Sequence, residues 1–298
     1  MCAEAQTGVV WPSAQIQRLR VWLDTLPRMS KSRLDALLAE RGLFESRSRA
    51  AAAVMAGKVR IGGEGARASK PGQMVASDVR VSVDPGQEYV SRGGVKLANA
   101  LDTLGVDVAG RECLDVGAST GGFTDCLLQR GAAHVVALDV AYGELHWRLR
   151  GDPRVTVVER ANARALSMDA LPYRPGLIVV DVSFISLGKV LPAVLSAGAP
   201  DGPFDCLALV KPQFELGRER VGKGGVVRSA ADRREALVSV GEDVVGLGYS
   251  VLGFASSGLP GPAGNRESFV WIGRAGVSRA VGDVAAAADL VEGGGGDA

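Results

Sequence analysis

The chain has 298 residues, 47% of them hydrophobic, with 34 Lys and Arg against 33 Asp and Glu. That length allows about two domains, and the apolar content excludes a disordered chain. No uninterrupted apolar run approaches the roughly 18 to 20 residues that span a bilayer, and no secretory signal opens the chain, so a soluble cytoplasmic protein with no membrane partner is expected. Residues 1–29 mix Gly, Gln, Ser and two tryptophans, Trp11 and Trp22, and residues 14–26 allow a short helix that Pro27 stops. They read as a flexible leader or as the product of an upstream start codon. The four cysteines, Cys2, Cys113, Cys126 and Cys206, form no C-x-x-C pair, and only His134 and His146 could join them. No metal site is expected; reduced core cysteines are.

From Ser30 the pattern sharpens. Leu34, Leu37 and Leu38 recur at helical spacing and Gly42 ends the helix. Ser46 is placed to cap a second helix with Ala50, Ala53 and Val54 inside and Gly57 at its end. The stretch "KVRIGGEGARASKPGQMVASDVRVSV" then alternates short β-branched runs with Gly and Pro turns. A small α+β domain is expected over 30–86. Residues 28–96 carry 13 basic and 7 acidic side chains, a net +6, whereas 97–298 carry 19 basic and 24 acidic, a net −5. The basic unit suits a polyanion, although a solvated basic face is the plainer alternative.

The R-L-D opening, the R-G-L turn, S-R-x-x-A and G-x-V-x-I-x-G over roughly 31–84 resemble the S-four-type RNA-binding domain. The resemblance implies that Arg33, Arg41, Arg47, Arg49, Lys58 and Arg60 meet RNA phosphates, which give affinity and register but little sequence information.

Residues 87–91 read as a linker. A helix over 92–105 leads into "RECLDVGASTGGFTDCLLQRGAAHVVALDV", which reads strand, Gly-rich turn, helix, strand. Strand-like runs follow at "RVTVVE", "GLIVVDVSF", "DCLALVKP", "YSVLGFAS" and "ESFVWIG", the last two an antiparallel pair. The expected fold is α/β, a Rossmann-like, mostly parallel sheet over 92–277 with helices on both faces and an antiparallel last strand. The tail at 278–298 is expected to be disordered. His134 reads as a helix-end residue, and Trp147 as packing or, with Tyr142, the border of a pocket. "KPQFELGRERVGKGGVV" over 211–227 reads as a mobile flap. Arg92 and Gly93 lie between the domains, as RNA contact or plain linker.

Two constellations carry chemistry. The turn Asp115-Val-Gly117-Ala118-Ser119-Thr120-Gly121-Gly122-Phe123 joins a strand to a helix. It is neither a dinucleotide fingerprint nor a phosphate loop. With Asp139 at the end of the next strand, placed for a ribose diol, it suits an adenosyl ligand without pyrophosphate; S-adenosylmethionine fits best. The other set is Lys96, Asp181, Lys211 and Glu267. Asp181 and Lys211 each follow an apolar strand, and Glu267 begins one that runs the other way, so all three meet the ligand-binding edge of an open sheet. Any one of them alone is as readily a surface charge. A lysine beside a second cation can serve as base toward a ribose 2′-hydroxyl, with carboxylates orienting the pair.

Lys-Asp-Lys-Glu in that order, with "DVGASTGGFT", "VVDVSFISL", "LVKPQFE" and "GPAGNRESF", resembles the TlyA family over roughly 30–275. These are S-four-type domains fused to an RrmJ/FtsJ-like methyltransferase that 2′-O-methylate ribosomal RNA, and some carry a haemolysin label. The resemblance implies a catalytic set of Lys96, Asp181, Lys211 and Glu267. It implies a methyl-donor site at Gly117 to Phe123, Asp139 and Asn162, S-adenosylmethionine as cofactor, and ribosomal RNA or ribosomal subunits as partner for a monomer. The competing readings are a membrane-active haemolysin and a non-catalytic ribosome-assembly factor.

Overall fold

The computed structural model describes residues 30–62, 65–84, 88–199 and 202–292. The leader at 1–29 lies outside the described residues. The chain divides into two compact units between Gly86 and Gln87.

In the first unit, helices Leu34–Glu40 and Arg47–Met55 pack through Leu34, Leu37, Leu38, Ala50, Ala53 and Val54, all buried. Ser46 caps the second helix, its hydroxyl accepting from the Arg49 N–H. Strand β1 (Lys31–Arg33) pairs antiparallel with β4 (Met74–Ala76), and β2 (Val59–Ile61) lies between β3 (Ala66–Arg67) and β5 (Val81–Val83).

The second unit is a seven-stranded sheet, in the order β11-β12-β10-β9-β6-β7-β8. The strands are β6 (Glu112–Val116), β7 (His134–Leu138), β8 (Val155–Val158), β9 (Leu177–Val180), β10 (Asp205–Val210), β11 (Tyr249–Ser256) and β12 (Ser268–Arg274). Neighbours from β10 to β8 run parallel, and β12 runs antiparallel to both β10 and β11. Alternate residues serve two cores, as a strand's period of two requires. In β10, Leu207 and Leu209 join the core under helices Arg92–Leu104 and Gly122–Gln129, while Cys206, Ala208 and Val210 join the opposite one. The chain leaves β6 toward β7 and β8, then returns to β9 on the other side. That reversal opens a crevice at the carboxyl ends of β6 and β9, where such sheets bind ligands.

The described residues depart from the sequence reading in four places. The expected disordered tail contains a helix, Val284–Glu292. Asp283 accepts from the N–H groups of Ala285 and Ala286, and Ala288 is fully buried. Arg233 donates to Glu292, and Gly241 leaves room for Val284. An alanine-rich run with a cap and a docking face is a helix, and the Gly-rich end at 293–298 lies outside the described residues. The linker is not free either: Tyr89 is buried and the Val90 N–H donates to Asp125. His134 begins β7 instead of ending a helix, and its ring meets the Thr156 hydroxyl. Trp147 is 64% exposed beside the His146 ring, so it does not pack in the core. Cys113, Cys126 and Cys206 are free and buried, and burial pushes the first two thiols up to about 12.

Candidate active site

A cavity of about 780 Å³ sits at the crevice and brings Lys96, Asp181, Lys211 and Glu267 together. Asp181 directly follows β9, where its N–H donates to the Val116 carbonyl at 2.9 Å. Lys211 directly follows β10. The β10–β12 register sets Val210 opposite Ser268, so antiparallel β12 brings Glu267 to the same edge. Lys96 comes from the first turns of the Arg92–Leu104 helix. The four groups form two pairs: Lys96 Nζ lies 2.5 Å from Glu267 Oε2, and Lys211 Nζ lies 2.6 Å from Asp181 Oδ1. Lys211 also donates to the Ser183 hydroxyl at 2.8 Å. Lys96, Lys211 and Glu267 are buried. Charges taken out of water this way persist only when paired.

The Gly-rich turn forms the adjoining wall through Gly117, Ala118, Ser119, Thr120, Gly122 and Phe123. Gly117 is required for two reasons. Its φ is +84°, and a Cβ there would lie 2.4 Å from the Asp181 carbonyl oxygen. Gly121 has φ +94°, but it faces Leu145 and Leu149 instead of the cavity. Asp139 borders a much smaller neighbouring cavity, and its carboxylate already accepts from the Ser119 and Ala141 N–H groups at 2.7 Å each. Asn162 is exposed and caps the turn at Ala163–Ala165; it borders neither cavity.

Asp115, in β6, is fully buried. One carboxylate oxygen accepts from the Thr124 hydroxyl at 2.6 Å and the other has no partner. Desolvation drives this carboxyl up to about 7, and the Thr124 hydrogen bond opposes the shift.

Sequence reasoning missed Phe184. Its ring is 91% exposed at the cavity, tilted against Phe214 at a centroid distance of 5.3 Å. Its backbone is left-handed at φ +64°, an outlier for a bulky residue. An aromatic three residues beyond Asp181 was the available signal. Glu215 was missed as well: it accepts from the Ser186 hydroxyl and the Leu187 N–H, bracing the loop after Asp181 against the helix after Lys211.

The basic residues of the first unit divide. Arg41 donates to the carbonyls of Ser77 and Val79, Arg33 to Asp35, and Arg60 to Asp84 and Gly65, so each has a partner within the unit, while the Arg33 and Arg60 side chains stay 52% and 40% exposed. Arg47, Arg49 and Lys58 are exposed, with Arg47 3.7 Å from Asp35. Arg92 lines the cavity and donates to the Pro260 carbonyl at 2.6 Å.

The FtsJ-like methyltransferase family matches residues 89–274, and the S4 domain matches residues 32–81. Over 244 residues the chain is 50% identical to the 16S/23S rRNA (cytidine-2′-O)-methyltransferase TlyA of Mycobacterium tuberculosis, covering 81% of this chain and 90% of that one. It is 36% identical to Hemolysin A of Brachyspira hyodysenteriae, covering 79% and 97%. A solved structure from Streptococcus thermophilus that carries a provisional hemolysin name matches at 38% identity and TM-score 0.63, covering 88% of this chain and 96% of that one. These matches define the class: an S4 domain followed by an FtsJ-like methyltransferase domain. The chain belongs to the TlyA family within that class.

Proposed function

We propose that this chain transfers a methyl group from S-adenosylmethionine to a ribose 2′-hydroxyl of ribosomal RNA, on a cytidine as the names of its relatives indicate. The observation that supports this reading best is one cavity lined by both the Gly117–Phe123 turn and the four charged side chains. Gly117 lets the ends of β6 and β9 approach closely, which sets the turn and Asp181 side by side on the cavity wall where the donor is proposed to lie. The donor supplies an electrophilic methyl group. Asp139 serves the ribose diol with the acceptor positions that its two backbone partners leave open. Asn162, outside both cavities, serves the adenine only if its loop moves inward.

Lys211, entering the step as the neutral amine, is the residue proposed to take the 2′-hydroxyl proton, becoming the ammonium ion that Asp181 pairs. Asp181 and Ser183 aim its amine into the cavity, and a general base must reach the proton before its pKa matters. Lys96, fixed by Glu267, supplies the cation that stabilises the developing alkoxide. The exposed Phe184 ring offers a stacking face to a base rotated out of its helix. Arg47, Arg49 and Lys58 are proposed to hold RNA phosphates.

A labelled donor tests the reaction. Label should enter ribosomal RNA and survive alkaline hydrolysis as protected dinucleotides, because a methylated 2′-oxygen cannot attack the neighbouring phosphate. Label that alkali releases as mononucleotides places the methyl group on a base and contradicts the reading.

A further inference from the structure

Asn265 lies two residues before Glu267 and is 1% exposed. A buried amide needs partners at both ends. Its Oδ1 accepts from the Val227 N–H, and its Nδ2 donates to the Gly225 carbonyl, each at 2.8 Å. Its backbone carbonyl accepts from the Gly261 N–H at 2.8 Å. One residue therefore ties together two loops that both line the cavity, one through Gly225 and the other through Gly261 and Pro262.

Both loops are built to stay put. In the first, the Gly222 N–H donates to the Val226 carbonyl and the Gly225 N–H to the Gly222 carbonyl. Gly224 and Gly225 supply the left-handed backbone, at φ +85° and +77°, and Val227 is a buried anchor. In the second loop, a Cβ on Gly261 would lie 2.3 Å from Glu267 Oε1, so this loop packs directly on a charged group of the site. Lys223 sits exposed on the first turn with no hydrogen bond or ion pair among the described residues. The segment expected to be a mobile flap is, at its exit, a pinned wall.

We infer that Asn265 is a positioning residue that latches the Gly222–Val227 turn as a preformed contact for the RNA strand beside the target nucleotide. The inference rests on the ribosomal-RNA reading above and assigns part of the substrate's footprint. A preformed wall spares the substrate the entropy of ordering the turn on binding. Loss of the latch therefore acts on KM for RNA and leaves donor affinity unchanged.

Two variants of the full chain test this. Asn265→Ala should remove hydrogen-exchange protection at the Val227 amide and raise KM for RNA about tenfold, the scale of one lost buried hydrogen-bond partner. Donor affinity by calorimetry should stay within about twofold. Asn265→Asp provides a pH signature: a protonated carboxyl still accepts from Val227 and donates to Gly225, whereas a carboxylate faces the Gly225 carbonyl and repels it. Its activity relative to wild type should rise as pH falls, and that of Asn265→Ala should not. Unchanged Val227 protection in Asn265→Ala overturns the latch, whatever RNA does. Lost protection with an unchanged KM for RNA overturns the substrate contact. A flat pH ratio for Asn265→Asp overturns the latch if Asn265→Ala does not fold. A wild-type chain that methylates no RNA overturns the functional reading instead, and the Val227 exchange still decides the latch.

Discussion

Asp115 is the residue whose chemistry is most at odds with its surroundings. Its carboxyl lies at about 7 in the fold against 3.8 for an ordinary aspartate. The folded chain thus holds a proton that the unfolded chain has released over that interval. Stability contributed by the protonated group is fully present below about pH 3.8 and is lost as pH rises through about 7. Asp115→Asn keeps an acceptor for Thr124 and cannot ionise. Denaturation midpoints should show its advantage over wild type growing between pH 4 and pH 7; a difference that stays flat contradicts the assignment. The buried Lys96–Glu267 pair gives a second test. Lys96→Ala leaves Glu267 unpaired and should cost about 3–5 kcal/mol of stability in denaturant titrations. Lys96→Met with Glu267→Gln should recover most of that loss without restoring methyl transfer. Asp181, Lys211 and Glu267 were legible as members of one edge because each abuts an apolar strand. Phe184 offered only its spacing from Asp181, and Asn265 stayed unread, because left-handed backbone and the bonding of a buried amide appear only once loops from distant strands meet.

At the scale of elements, the mostly parallel sheet and the antiparallel β12 followed from strand-like runs and the lack of a helix between the last two, whereas the strand order did not. The Val284–Glu292 helix was not read, although Asp283 and the alanines after it were helix signals in the sequence; only the Gly241 groove and Arg233 that receive it were hidden. Removing residues 281–298 should lower the thermal midpoint, since it uncovers the core beside Val244 and leaves the buried Arg233 without Glu292. An unchanged midpoint contradicts that packing. The Gly-rich turn also behaves differently from its sequence reading. With Gly121 in the implied methyl-donor site, Gly121→Val should block the donor alone. Its side chain instead meets Leu145 and Leu149, 2.3 Å from the nearest carbon already at Cβ, in strained backbone. Melting temperature and donor affinity should fall together; loss of donor affinity in a fully stable variant restores the simpler reading.

Across the whole molecule, charge is unevenly divided along the chain. The net +6 over residues 28–96 was visible in the sequence, but it did not separate arginines that hold the S4 domain from those facing outward. Arg47→Ala and Lys58→Ala should each weaken RNA binding and lower the salt slope by about one, with donor affinity unchanged. Arg41→Ala should instead destabilise the domain, because two carbonyls lose their donor. Among the described residues no helix is long and apolar enough to cross a membrane. The central claim concerns Lys211, and single-turnover methyl transfer by Lys211→Arg on ribosomal RNA tests it most directly. Arginine keeps the charge but cannot give up its proton at working pH. The rate should fall about 100-fold or more while RNA and donor still bind; a rate near that of wild type contradicts the role of Lys211 as the base.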